Sequence, residues 1–429
     1  MNFIEELRWR GMLQDMIPGL EDQLAKEMTV AYIGFDPTAP SLHIGNLAAI
    51  MLLKHFQLCG HKPIALVGGA TGMIGDPSGK AAEREFLSED TLRANQIGIQ
   101  KQLEKFLEFH AGANSAEVVN NYDWFKEFSF LGFLREAGKF LTVNYMMSKD
   151  SVKKRLETGI SFTEFSYQLL QGYDFYHLYK TKNVRLQMGG SDQWGNITTG
   201  TEIIRRKEGH DEDATERAAF ALTTPLVTKA DGTKFGKSES GNVWLDAEKT
   251  SPYAFYQFWL NAADADVPRL IRVFTLYTKE QIEELEKQHA EAPHLRILQK
   301  AVAEEVTTRV HGAEVCALVI EASTLLFSKD AVELIAGASE ALLGQLPIHE
   351  VSATLLAECK NLTDLISVGT ENLIFPSKGE ARKAIQNNAI SVNKVKVTDP
   401  NSALDFEKIR GQYLLVGNGK QKNYILSFK

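Results

Sequence analysis

The first half of the chain predicts an α/β fold built on a doubly wound, Rossmann-like parallel sheet. Three observations carry that expectation. Residues 30–36 (VAYIGFD) and 63–69 (PIALVGG) are short apolar runs of the kind that form buried strands. Residues 42–58 between them place Leu47, Ile50, Met51 and Leu58 at helical spacing. Strand, helix and strand within about forty residues require a crossover, and hence parallel pairing. Finally, successive strand ends carry DPT, GGATG, NNYDW and GGSDQW, all polar or glycine-rich. Ligands of such sheets sit at the carboxyl ends of strands.

The remaining elements follow in order. Further strands are expected at 116–121 and 184–188, with helical stretches at 89–110 and 161–180. From Ser251 the character changes: a Ser-Pro helix start opens a run that reads as helical to about residue 345. The tail mixes a helix at 378–387, a turn at Asn387–Asn388 and the strand-like runs AISVN and YLLV. The expected domains are 1–245, 246–345 and 351–429. With 429 residues, two or three cores are the natural division.

Composition narrows the function. No apolar run approaches the ~18 residues that span a bilayer, and the acids in MNFIEELRWRG argue against a signal peptide. Cys59, Cys316 and Cys359 lie far apart without a CxxC pair, which suits a reducing cytoplasm. The net charge of −8 is uneven, because residues 351–429 hold 11 Lys and Arg against 7 Asp and Glu. A basic tail on an acidic body points to local contact with a polyanion, or to a solvated surface.

Three short stretches concern phosphate. SLHIGN (41–46) stands where a strand hands over to a helix, either as an ordinary helix start with Ser41 as N-cap or as a phosphate site. A helix start offers unpaired N–H groups and partial positive charge to an anion. His43 and Asn46 share one face there, and Gly45 has no side chain to keep a ligand off the backbone. GGATGMIGDPSGK (68–80) nearly matches two glycine loops. Ile74 and Ala81 break the P-loop pattern, and Ala70 breaks the dinucleotide fingerprint. A loop remains, with Asp76 near its tip and Lys80 and Arg84 beyond. ADGTKFGKS (230–238) sets Lys234 and Lys237 around Gly236, a loop able to close over a polyphosphate.

Together these stretches resemble the HIGH and KMSKS signatures of class I aminoacyl-tRNA synthetases. AYIGFDPTAPSLHIGN, VGGATGMIGDPSGK, NNYDW, FSYQLLQGYDF, QMGGSDQWGNI and DGTKFGKS are similar, in order, to motifs of the bacterial tyrosyl-tRNA synthetases. The resemblance covers essentially the whole chain. It implies a catalytic first domain and a helical anticodon-binding second domain. The third would be an RNA-binding domain like ribosomal protein family four, from 377–397 (SKGEARKAIQNNAISVNKVKV). The implied reaction is activation of L-tyrosine by ATP with Mg2+, then transfer to the tRNA for tyrosine.

By the same resemblance, Thr38, His43, Asn46, Lys80, Arg84, Lys234 and Lys237 act on the polyphosphate. Tyr32 and Asp174 meet the substrate phenol, Asp76, Tyr167 and Gln171 its ammonium, and Gln193 its carboxyl group. Gly34, Asp36, Gly45, Asp192 and Ser238 join the nucleotide site, and Lys378, Arg382, Lys383, Lys394 and Lys396 hold tRNA. Tyr167, Gln171 and Asp174 also fall independently on one helical face. No zinc-type His/Cys spacing occurs, so no protein-bound metal is expected. Two positions depart from many relatives: Asn46 stands for a histidine, and Ile33 for a cysteine that touches the ribose. The family implies a homodimer, with Phe162 near the interface. A tryptophanyl enzyme of the same fold, or an RNA-binding paralogue without catalysis, would be the alternatives.

Overall fold

The structure, a computed structural model, describes residues 2–76, 88–149, 152–153, 159–209, 219–233, 235–238, 241–419 and 422–428. By contact, the chain divides into two units. One comprises residues 1–249 and 261–302, the other 250–260 and 303–429.

The first unit is built on six strands: β1 (Asp15–Met16), β2 (Val30–Phe35), β3 (Lys62–Val67), β4 (Glu117–Asn120), β5 (Val184–Gly190) and β6 (Phe220–Thr224). Their order is β1-β6-β5-β2-β3-β4, parallel throughout except for the antiparallel edge pair β1–β6. The expected strands are therefore β2 to β5. The strands β1 and β6 were not anticipated: β1 is two residues long, and FALTT is a short run of mixed polarity. The crossover from β2 to β3 is the helix Ile44–Leu58. Ten of its residues are buried, as a helix laid on a sheet requires, although Leu58 at its end is exposed. The helix Glu89–Leu103 stops seven residues short of the expected 110. The helices Phe162–Lys182 and Trp194–Glu208 flank β5 and share a core with β2 and β3 through Phe175, Leu178, Ile204, Val30 and Ile64.

An N-terminal helix, Phe3–Arg10, ties this unit to its last pieces. The buried Arg10 guanidinium donates to the carbonyls of Arg272 (2.7 Å), Thr275 (3.1 Å) and Tyr277 (2.7 Å). These are the end of the helix Val267–Phe274 and the residues beyond it. A fixed charge thus satisfies carbonyls that a helix C-terminus leaves bare.

In the second unit, helices Pro252–Leu260, Ala313–Phe327 and Ala331–Gly337 precede a five-stranded sheet. Its strands are β9 (Ile348–Val351), β10 (Ile390–Val392), β11 (Val395–Lys396), β12 (Tyr413–Asn418) and β13 (Lys422–Phe428), counting the short hairpin β7 (Lys237–Ser238) and β8 (Gly241–Asn242) of the first unit as seven and eight. The order is β11-β10-β12-β13-β9, antiparallel but for β13–β9. The helix Lys378–Gln386 appears where expected, and Asn388 turns the chain with φ of 55°. Leu342, Leu343 and Leu346 share a core with Ala322, Leu326, Ile335, Leu415 and Ile425, so helices and sheet are packed as one body.

Candidate active site

The helix Ile44–Leu58 starts differently from the sequence expectation. Ser41 is not its cap, because its hydroxyl donates to Leu42 O (2.7 Å) and accepts from Gln102 Nε2 (2.9 Å). His43 caps it instead. The His43 Nδ1 accepts from Gly45 N–H (3.0 Å), while Asn46 Oδ1 accepts from His43 N–H (3.1 Å). A neutral His43 ring held this way carries its proton on Nε2, and Asn46 keeps its amide N–H groups. Both residues face a cavity of about 290 Å3. Gly45 is required for a reason other than ligand access: a Cβ there would fall 2.8 Å from His43 Cε1, in the space that the imidazole occupies.

The cavity lies along the carboxyl ends of β2 and β5. Tyr32, Gly34, Asp36, Thr38, His43, Asn46, Asp76, Tyr167, Gln171, Asp174 and Gln193 all line it. Tyr167, Gln171 and Asp174 come from one face of the helix Phe162–Lys182, as their spacing implied. Asp192 does not line it, although its Oδ1 would lie 2.7 Å from a Cβ on the lining residue Gly190. Lys80, Arg84 and Lys234 fall outside the described residues, and Lys237 and Ser238 are described only as backbone in β7.

That backbone is nevertheless informative. Val243 N donates to Gly236 O (3.0 Å), and Ile44 N donates to Val243 O (2.9 Å). A Cβ on Gly236 would lie 3.1 Å from Gly45 N. The FGKS segment is therefore laid against the HIGN helix start, although some 190 residues separate them. Phe235 stacks on Phe274 (5.7 Å, 26°), and Ala230 N donates to Asp266 Oδ1 (2.7 Å), which anchors the loop on the helix Val267–Phe274.

The inner end of the cavity is acidic and desolvated. Asp174 is buried, accepting from Asn121 Nδ2 on Oδ2 (3.0 Å) and from Trp124 Nε1 on Oδ1 (2.9 Å). Burial pushes its carboxyl up to about 8, against the pull of those two donors. The Tyr32 phenol is buried, has no hydrogen-bond partner among the described residues, and is held well above its ordinary range by burial and then by Asp174. Asp36 accepts from Tyr167 Oη (2.9 Å) and Thr71 Oγ1 (2.8 Å), and Asp76 accepts from Gln193 Nε2 (2.7 Å). Three carboxylates with no Lys or Arg among the described lining residues favour a cation. A hydroxyl reaching the inner end would meet an acceptor, and an anion at the outer end would meet the helix start.

Sequence reasoning missed Thr71, Asn121, Trp124 and Gln187. Asn121 is fully buried and also accepts from Ala70 N (2.7 Å) and donates to Thr71 (3.1 Å). It wires the GGATG loop to Asp174. GGATG and NNYDW were visible as motifs, but pairing between them is tertiary and left no signal in spacing.

A family model for class I tRNA synthetases (W and Y) matches residues 24–328. One for a tyrosine–tRNA ligase SYY-like C-terminal domain matches 343–427. A tyrosine–tRNA ligase of Cytophaga hutchinsonii is 61% identical, covering 100% of this chain and 99% of its own. The chain belongs to the tyrosine–tRNA ligase family. A Bacteroides fragilis tyrosine–tRNA ligase is 56% identical with full coverage of both chains. A C-terminally truncated mitochondrial tyrosyl-tRNA synthetase of Coccidioides posadasii superposes with a TM-score of 0.65 at 31% identity, over 75% of this chain and 91% of that one. In this tyrosine–tRNA ligase family member, HIGN and FGKS meet beside the cavity at the sheet's carboxyl edge, where open α/β sheets bind ligands.

The tail cations of this ligase family member differ in their surroundings. Lys378 pairs with Asp364 (2.7 Å), Lys394 Nζ donates to Leu326 O (3.0 Å), and Lys396 Nζ donates to Asn388 O (2.6 Å). Arg382 and Lys383 are exposed on the helix Lys378–Gln386.

Proposed function

We propose that the cavity activates L-tyrosine with ATP and that the product is transferred to the 3′-terminal adenosine of the tRNA for tyrosine. The observation that carries this reading is the polarity of the cavity. It runs from a buried carboxylate beside an unpartnered phenol to a helix start capped by His43.

The chemistry needs little else. An amino-acid carboxylate is already ionised at pH 7 and attacks the α-phosphorus directly, so orientation and charge stabilisation supply the rate. Asp174 accepts from the substrate phenol and Tyr32 bonds beside it. Asp76, Tyr167 and Gln171 hold the ammonium in the negative middle of the cavity, and Gln193 lies near the reacting carboxyl group. Thr38, His43 and Asn46 hold the departing pyrophosphate, with Lys80, Arg84, Lys234 and Lys237 as further cations. Gly34, Asp36, Gly45, Asp192 and Ser238 complete the nucleotide side. Ile33 lines the cavity without a donor, which leaves the ribose to Asp192. Mg2+ travels with ATP as part of that substrate; among the described residues no group of three or more His, Cys, Asp and Glu is placed to hold an ion.

The same reading makes residues 1–245 catalytic, 246–345 the anticodon-binding part and 351–429 an RNA-binding tail. A cytoplasmic location belongs to the same reading, supported by three scattered cysteines without a CxxC pair. A homodimer is supported by exposed apolar side chains on the first unit, Phe130 (66%), Leu131 (71%), Val143 (60%) and Phe162 (69%).

The deciding experiment is ATP–pyrophosphate exchange with tyrosine and with phenylalanine. Bound phenylalanine would add no partner at Asp174 or Tyr32 and would leave the Tyr32 phenol buried without a hydrogen bond, a costly state. Asp174→Ala should abolish the preference for tyrosine or all activity, and Tyr32→Phe should weaken the preference modestly. Full preference in Asp174→Ala would place hydroxyl recognition elsewhere.

A further inference from the structure

Beside the helix start stands Trp244, a residue that no motif singled out. His43 and Trp244 face each other as an isolated antiparallel bridge, flanked by Ile44 N to Val243 O and Leu245 N to Leu42 O, both 2.9 Å. Their rings meet edge to face, centroids 5.8 Å apart at 67°. The Lys249 ammonium lies 5.5 Å from the centre of the indole. Through Val243 the same short segment is bonded to Gly236 of the FGKS loop.

The hydrogen bond from Gly45 N–H holds the imidazole at Nδ1, and the indole edge restrains its tilt sterically. We propose that Trp244 is a positioning residue for His43, setting the plane in which Nε2–H meets the departing phosphate and tying it to the position of the FGKS segment. This rests on the reading of His43 given above. A donor displaced by about 1 Å can cost on the order of 10²-fold in rate, so an indole that never touches substrate can still govern the step.

The test is single-turnover formation of tyrosyl-adenylate by the full chain, with tyrosine affinity measured separately. Trp244→Ala should slow the step by ~10–100-fold at unchanged tyrosine affinity. Trp244→Phe, which keeps an aromatic edge, should recover most of the loss, while Trp244→Leu, which keeps bulk alone, should not. In a His43→Ala background, Trp244→Ala should change the rate by less than about twofold, because independent sites add and coupled ones do not. A full additional loss in that background, or equal rescue by leucine, overturns the proposal. If His43→Ala alone leaves the rate unchanged, the phosphate role of His43 fails instead. Should Trp244→Ala not fold, the Phe and Leu variants carry the same comparison.

Discussion

At the scale of single residues, Asp174 and Gly45 hold the two ends of the cavity in opposite ways. Asp174 is a carboxyl whose folded-state value is raised to about 8 by burial. In the unfolded chain it titrates near 4. The folded form therefore binds the proton more tightly, and stability from this group is fully present below pH ~4 and lost as the pH rises through ~8. Thermal unfolding of the ligand-free protein should show it. The difference in Tm between wild type and Asp174→Asn should move in favour of the variant as pH rises from 5 to 8.5, and a pH-independent difference would contradict the assignment. Gly45 works by absence. In Gly45→Ala the new methyl would meet the imidazole at 2.8 Å, and the ring, as the movable partner, gives way. Folding should survive with unchanged Tm, while adenylate formation falls by about 10²-fold in a single-turnover assay.

At the scale of elements, the helix Phe3–Arg10 depends on one buried side chain. Arg10→Ala would strip three carbonyls near the end of Val267–Phe274 of their donor. Unpaired buried acceptors cost ~1–3 kcal/mol each, partly recovered by water, so a loss of about 3 kcal/mol in denaturant unfolding is expected. The elements also show what could be read in advance. Strands β2 to β5 and the helix Ile44–Leu58 were legible because each is an apolar run or stripe of sufficient length. β1, β6, β9 and β13 were not: a two-residue strand has no pattern, and IHEV and KNYILSF carry mixed polarity that only sheet pairing resolves. The cap was misplaced for a similar reason. Ser41 has better intrinsic capping chemistry than histidine, but Gln102, 61 residues away, had already engaged its hydroxyl. The cavity residues were legible through whole motifs, whereas Asn121 and Trp124 became visible only once β4 was set beside β3.

On the scale of the whole molecule, charge and chain order matter most. Arg382 and Lys383 stand exposed on the Lys378–Gln386 helix, whereas Lys378 already faces Asp364. The double variant Arg382→Glu, Lys383→Glu should leave ATP–pyrophosphate exchange intact, weaken tRNA charging, and flatten its dependence on salt by about two phosphate contacts. Unaltered charging would confine that helix to packing. Chain order has a different consequence, seen in Arg10. Its carbonyl partners are 262 to 267 residues further along. At ~5–20 residues per second of synthesis, a nascent chain waits roughly 13–50 s before they exist. Throughout that interval Arg10 keeps its pairing with Glu6 (2.6 Å), and Phe56 is present for Phe3 to pack on, but the three carbonyl acceptors are missing. Released fragments should record the delay: one ending at residue 260 should be cut by trypsin after Arg10, and one ending at residue 302 should resist.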